Sequence, residues 1–224
     1  RNFLADFYAN EFGGSFARGV HFQSNPLTGD RRTSGSAASL SGIERAIELK
    51  DEAALTAAID RMCVGYAMVF GFGGMPLLYM GDEIAMLNDY GFVKDETKQD
   101  DNRWIHRPEM DWATANSASA GNSVAARART GITKLISARK NMPSLHAAVG
   151  TDVFTTENPA ILVFRRRHAA GTVVQIYNLS EQVQVFTPGD LLQGDMKENI
   201  SGRIMNFART VNVPPYAAWW LTKE

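Results

Sequence analysis

Two adjacent carboxylates, Asp82 and Glu83, follow the uniformly apolar residues 75–80 and are obvious candidates for acid–base chemistry. A pair of carboxylates that acts as acid and base must reach the same reacting bond, each within hydrogen-bond distance. Neighbouring residues at the end of a strand, however, point in different directions. Asp82 and Glu83 are therefore poorly placed to flank one bond, and we do not assign them as a catalytic pair.

A polar stretch without regular periodicity fills residues 1–40, and glycine and proline recur throughout it. Compact domains rarely contain so long a stretch without helices or strands unless it forms a binding loop or a lid. We therefore interpret these residues as a functional loop. A short helix is predicted at its end, around residues 37–49.

The elements that would position Asp82 and Glu83 are a helix and a strand. Residues 51–70 have the periodicity of an amphipathic helix, and residues 75–80 are typical of a parallel strand that is covered on both faces. A polar loop over residues 87–122 and a second amphipathic helix from Val124 follow, and Asn141 and Pro143 end that helix. This order is that of the repeating unit of a (β/α)₈ barrel: a helix, a turn, a buried strand and polar residues at the end of the strand.

After Pro143 the pattern changes to short β-type runs separated by glycine, asparagine and proline. The predicted strands cover residues 160–164, 172–179, 182–186, 211–213 and 216–221. Short strands with turn signals between them indicate a small antiparallel sandwich. We place the domain boundary near residues 142–147, and we expect the arginines at 165–167 to be exposed at a strand end.

Composition excludes several classes of function. The net charge of −1 gives no basic surface for nucleic acid or for an anionic membrane. Residues 62–81 lack charge over nearly the length of a membrane span, but glycines and Pro76 interrupt them, so we expect no span. The single cysteine, Cys63, permits no internal disulfide and is read as a packing thiol. The histidines are scattered, and we expect no metal and no cofactor.

Four segments resemble a known family. Residues 74–83 (GMPLLYMGDE) resemble the eighth-strand signature of the α-amylase superfamily, glycoside hydrolase family 13, and residues 214–221 (PPYAAWWL) resemble the last strand of its C-terminal domain. Residues 14–35 and 100–108 (DDNRWIHRP) are similar to amylosucrase and to the related bacterial sucrose hydrolase.

The resemblance implies a domain division. Residues 1–50 would belong to a lid-like subdomain in the loop after the seventh strand. Residues 51–143 would supply the last helices and the eighth strand of the (β/α)₈ barrel, and residues 144–224 a C-terminal β-sandwich. The remainder of the same polypeptide, the N-terminal part of the barrel, is then the expected partner of this chain.

The same resemblance implies roles for individual residues. It places Gln23, Asn25, Asp30 and Arg32 on the side of the pocket where fructose leaves and an acceptor enters. Arg103 matches an arginine that pairs with an upstream carboxylate at the pocket floor. The catalytic carboxylates lie on earlier strands in this family, so we expect none in this chain.

The implied activity is hydrolysis of sucrose to glucose and fructose through a covalent glucosyl intermediate. The loop residues resemble the sucrose hydrolase slightly more than amylosucrase, notably Arg31 beside Arg32. Two alternatives stay open: an amylosucrase-type transferase that passes glucose to an α-glucan acceptor, and a barrel relative without catalysis. We expect a bacterial, cytoplasmic protein.

Overall fold

The structure is a computed structural model that describes residues 1–119 and 121–223. The chain divides into two compact units, which we call the N-terminal unit (Arg1–Met62 and Leu78–Arg129) and the β unit (Cys63–Leu77 and Thr130–Glu224). The predicted domain division applies to a complete enzyme and stays a prediction. It assigns residues 1–50 to a lid, residues 51–143 to part of the barrel and residues 144–224 to a sandwich.

The N-terminal unit begins with a short helix and a hairpin. Helix α1 covers Asn2–Tyr8, and strands β1 (Val20–Phe22) and β2 (Arg32–Ser34) pair antiparallel, with Phe22 opposite Arg32. The interpretation of residues 1–40 as a loop without helices or strands was therefore wrong. Elements this short do not establish a detectable periodicity, and tertiary contacts stabilise them instead.

Five further α-helices begin in the described part of the N-terminal unit. The predicted helix over residues 37–49 is confirmed as two pieces, α2 (Ala37–Ser41) and α3 (Ile43–Leu49), separated by Gly42 with a left-handed φ of 98°. Helices α4 (Glu52–Phe72) and α6 (Val124–Lys140) confirm the two predicted amphipathic helices. Between them, α5 covers Trp112–Ser117 and 3₁₀ turns cover Asp82–Ile84, Tyr90–Lys94 and Asn102–His106.

Only part of the apolar face predicted for helix α4 is buried. Leu55, Ile59 and Met62 are buried as expected, whereas Val69 near the end of the helix is exposed. The buried side chains there are those of Ala67 and Phe70. The side of the helix that is covered therefore changes along its length.

Residues 75–80 do not form the predicted parallel strand, and no (β/α)₈ barrel is formed within the described residues. A strand needs a neighbouring strand to accept and donate its backbone hydrogen bonds. Among residues 1–119 and 121–223 every strand pair is antiparallel, and none includes this segment. Apolar composition alone could not supply that partner.

The β unit is built on antiparallel sheets, which confirms the predicted antiparallel β domain. One sheet has the order β3-β4-β5-β10-β7-β8, and a second pairs β6 with β9. Their bounds are β3 Asp152–Phe154, β4 Ile161–His168, β5 Gly171–Asn178, β6 Gln184–Phe186, β7 Asp195–Glu198, β8 Ile204–Asn206, β9 Val211–Val213 and β10 Ala218–Lys223. Strands β3, β7 and β8 were not predicted, since each is only three or four residues long.

The core of the β unit lies between the two sheets. Val174, Ile176 and Leu221 from the large sheet pack in one cluster with Phe186 and Val213 from the small sheet. This burial of alternating residues from both sheets is the arrangement of a sandwich.

Arg166 corrects the prediction that residues 165–167 are all exposed. Strand β4 continues to His168, and alternation along it directs Arg165 and Arg167 to one face and Arg166 to the other. Arg166 is fully buried and donates to the backbone carbonyl of Gly71, near the end of α4.

Helix α4 also has the length and apolar composition of a helix that could cross a membrane. Its final carbonyl groups, however, accept hydrogen bonds from Gln175 and Tyr177 of the β unit. Polar partners of this kind are typical of a helix that packs within a protein.

Candidate functional site

The hairpin of β1 and β2 carries the polar residues that the resemblance singled out. The loop between the strands closes through a hydrogen bond of 2.8 Å from the Asn25 amide to the Asp30 carbonyl. The Asn25 side-chain oxygen accepts from the amides of Leu27 and Thr28 at 2.9 and 3.3 Å. This local turn gives the loop a defined shape, because the asparagine oxygen replaces a backbone partner.

The other predicted residues of this loop are exposed. Gln23 has a left-handed φ of 50°, and the Asp30 carboxylate lies 3.8 Å from the Arg1 guanidinium. Arg32 begins β2, directly opposite Phe22. The hairpin thus presents amide, carboxylate and guanidinium groups within a short segment, the set of donors and acceptors that sugar hydroxyl groups require.

Arg103 lies beside this hairpin. It belongs to the 3₁₀ turn Asn102–His106, and its guanidinium carbon is 5.6 Å from the ring centre of Phe22. All of the predicted binding residues are therefore either on the hairpin or against it. Their roles in binding remain predictions.

Within this chain Arg103 pairs with Asp101. Its pairing with a carboxylate upstream of this chain stays a prediction. The Arg103 Nε atom donates to both Asp101 oxygens at 2.8 and 2.9 Å, and Nη2 donates to Oδ2 at 2.7 Å. The guanidinium lowers the pKa of Asp101 to about 2. A carboxylate two residues away in a tight turn satisfies the guanidinium locally, which the sequence motif alone did not indicate.

Asp6, on helix α1, supports the hairpin from outside it, and sequence reasoning missed it. It pairs with Arg31 through both carboxylate oxygens, and the His21 Nε2 atom lies 3.0 Å from its Oδ1. Hydrogen bonding from Arg31 is the main cause that lowers the pKa of Asp6. The apolar residues around Asp6 were the only sequence pattern that indicated a helix here. Helix α1 has seven residues, which is too short for the pattern to be recognised.

A second set of contacts holds the hairpin from residues 102–106. The Asn102 Nδ2 group donates to the His21 carbonyl at 2.7 Å, and the Ser34 Oγ and His106 Nδ1 atoms are hydrogen-bonded at 2.9 Å. Burial is the main cause that lowers the pKa of His106, so the neutral imidazole is favoured. The hairpin is thus fixed at both strands.

Asp82 and Glu83 make local contacts in a 3₁₀ turn rather than facing one another across a cavity. The Glu83 carboxylate accepts from the Gly81 amide at 2.9 Å, and Asp82 is buried. In the described part of the chain, no group of three or more histidine, cysteine or acidic residues could hold a metal ion.

Comparison with known proteins gives a match in the β unit. Residues 152–222 match the family described as the amylosucrase C-terminal domain. Those residues cover strands β3 to β9 and most of β10. The large antiparallel sheet and its core thus have the sequence pattern of that domain.

Solved structures show that the likeness extends beyond the β strands. A variant of AmyP in complex with maltotriose has a TM-score of 0.60 and 16% identity over 83% of this chain and 38% of that chain. A pullulanase from Anoxybacillus sp. LM18-11 has a TM-score of 0.56 and 16% identity over 85% of this chain and 26% of its own. MutB in complex with the substrate sucrose has a TM-score of 0.52 and 17% identity over 74% and 38%.

The chain therefore spans little more than a third of the AmyP and MutB chains that it matches, and about a quarter of the pullulanase. At these identities the likeness establishes the fold. Residues 152–222 thus match the amylosucrase C-terminal domain, and the chain shares its fold with part of the AmyP, MutB and pullulanase chains.

Proposed function

We propose that this chain is the C-terminal portion of an enzyme that hydrolyses sucrose to glucose and fructose with retention of configuration. The match of residues 152–222 to the amylosucrase C-terminal domain carries the proposal. An AmyP variant was solved in complex with maltotriose and a MutB mutant with sucrose, which supports a sugar as the substrate class.

In this proposal the remainder of the same polypeptide supplies the catalytic carboxylates. One of them attacks the glucosyl carbon, and a protonated one assists the departure of fructose. Residues 75–80 would gain strand partners from that part and become the eighth strand of a (β/α)₈ barrel. Asp82 and Glu83 would then lie at the carboxyl end of the strand, where barrel active sites form.

The hairpin loop would form the acceptor side of the pocket. Gln23, Asn25, Asp30 and Arg32 supply exposed polar groups, and Arg103 adds a guanidinium whose direction Asp101 fixes. Fixed donors and acceptors of this kind orient a sugar hydroxyl more strictly than they orient water. The geometry of this loop would decide whether water or a sugar accepts the glucosyl group.

Two other functions differ in their products. An amylosucrase-type transferase would build α-glucan from sucrose, and a barrel relative without catalysis would release neither hexose. Arg31, which favoured the hydrolase, pairs with Asp6, so it shapes the loop rather than facing a ligand through its guanidinium.

The test is to incubate the full-length protein with sucrose and to quantify glucose, fructose and glucan over time. Equal release of glucose and fructose is the expected result. Fructose in excess with growing glucan would replace the hydrolase by the transferase. Absence of turnover with sucrose would refute the proposal.

A further inference from the structure

Asp6 contacts both ends of the loop that connects β1 to β2. At the first end, the His21 Nε2 atom lies 3.0 Å from Asp6 Oδ1. At the other end, the Arg31 guanidinium donates through Nε and Nη2 to the two carboxylate oxygens. A bidentate pair of this kind fixes the direction of both side chains, because two parallel hydrogen bonds leave little freedom of rotation.

The loop between these ends is held mainly by its own atoms. The Gly29 amide donates to the Asn25 carbonyl at 2.8 Å, and the Asp30 amide donates to Thr28 Oγ1 at 3.3 Å. The 3.8 Å pair between Asp30 and Arg1 is exposed, and exposed pairs contribute little. The loop therefore has an internal shape, but its direction depends on the anchors at His21 and Arg31.

Helix α1 gives Asp6 a fixed base. The Thr33 hydroxyl donates to the Ala5 carbonyl at 3.0 Å, which joins the helix to β2. On the other side, the rings of Phe7 and Phe16 meet edge to face with their centres 5.1 Å apart. Ser15 also donates from its hydroxyl to the Phe7 carbonyl. These contacts hold the residues on either side of Asp6, so its carboxylate has a defined position.

We propose that Asp6 is a positioning residue that sets the direction of the loop over residues 23–30. Through that loop it determines how well the acceptor side of the pocket orients a sugar. The consequence for acceptors rests on the proposed function, whereas the positioning of the loop does not. Loss of the carboxylate charge releases the Arg31 guanidinium from helix α1, and the loop then moves about its Arg31 end, while Asn102 still holds the His21 carbonyl.

The first experiment measures backbone amide exchange in the full-length protein and its Asp6→Asn variant. Exchange of residues 21–33 is expected to be about 10-fold faster in the variant, because local opening no longer breaks a charged pair. The control is Asp152→Asn, which removes the pair of Asp152 with Arg165 (3.0 Å) from the β unit and should leave residues 21–33 unchanged. Exchange of residues 21–33 equal to that of the wild type would overturn the inference.

The second experiment separates positioning from general stability. With sucrose as substrate and an α-glucan added in large excess as acceptor, so that transfer competes with hydrolysis, Asp6→Asn should release fructose within about 2-fold of the wild-type rate, while the share of glucosyl groups passed to that acceptor falls about 3-fold. Asp6→Glu keeps the charge and should restore part of that share. If amide exchange of residues 21–33 is faster in Asp6→Asn but the share of glucosyl groups passed to the acceptor is unchanged, the proposed effect on acceptor orientation is overturned.

A wild type that does not cleave sucrose would refute the proposed function. The exchange measurement would still decide whether Asp6 positions the loop.

Discussion

Arg166 is a buried cation whose hydrogen-bond partners are backbone carbonyls. Its Nη1 donates to Gly71 at 3.2 Å, and its Nη2 donates to His146 at 2.7 Å and to Val149 at 2.6 Å. The carbonyl end of a helix carries partial negative charge, so the end of α4 compensates part of the buried charge. Burial still lowers the pKa of Arg166, which indicates that the compensation is incomplete.

At the residue scale we predict that Arg166→Met destabilises the protein by about 2–4 kcal/mol, because the buried carbonyls lose their donors. The measurement is the melting temperature of the full-length protein. The control is Arg167→Met on the same strand, where the side chain is 63% exposed and 3.8 Å from Asp152. Equal losses for the two variants would show that the buried contacts do not stabilise this region.

The carbonyl end of helix α4 lies within the β unit and accepts hydrogen bonds from it. The last carbonyl groups of a helix have no partners within the helix. Here Arg139 donates to Phe70, Gln175 donates to Gly71 at 3.0 Å, and the Tyr177 hydroxyl donates to Ala67 at 3.3 Å. Burial raises the pKa of Tyr177, so its hydroxyl stays protonated and continues to donate. Helix α6 and strand β5 together therefore complete the end of α4.

At the element scale, two glycines of α4 should respond in opposite ways to alanine. A Cβ at Gly71 would overlap the side-chain oxygens of Gln175 and Tyr177, so Gly71→Ala should cost about 1–3 kcal/mol. A Cβ at Gly65 meets nothing within 4 Å apart from the helix backbone, so Gly65→Ala should stabilise by about 0.5–1 kcal/mol.

Thermal or urea unfolding of the full-length variants measures both changes. A loss of stability in Gly65→Ala would contradict the expectation. It would show that another part of the protein covers that side of the helix.

At the scale of the whole molecule, large apolar side chains remain exposed in the described chain. Met75 is 92% exposed and Leu77 is 76% exposed, in the segment that was predicted as a buried strand. On helix α1, Phe3 and Leu4 are also exposed. Apolar surface of this extent is typical of sites that another chain segment covers. The proposed barrel part of the polypeptide would supply that cover.

We therefore predict that residues 1–224 alone do not fold stably as a monomer, whereas the full-length protein does. The isolated chain should bind a dye specific for apolar surfaces and should associate, as shown by light scattering, because its exposed groups have no cover. The full-length protein prepared in the same way is the control. A cooperative thermal transition of monomeric residues 1–224 would contradict this prediction.

Local patterns were sufficient to predict the long elements. The apolar periodicity of residues 51–70 and the turn residues after Pro143 indicated α4 and the antiparallel β domain, because burial of a repeating face and the conformations of glycine and proline are local properties. The motif at residues 14–35 likewise identified the segment that the structure forms into a hairpin.

What the sequence by itself determined is therefore the type and approximate extent of the long elements, and the family of the C-terminal domain. Only the tertiary structure decided that residues 75–80 have no strand partner among residues 1–119 and 121–223, that Arg166 is buried against the end of α4, and that Asp6 holds Arg31 and His21. The physical reason is the same in each case. A hydrogen bond or an ion pair between residues distant in sequence depends on where the fold places both groups, and no local pattern carries that information.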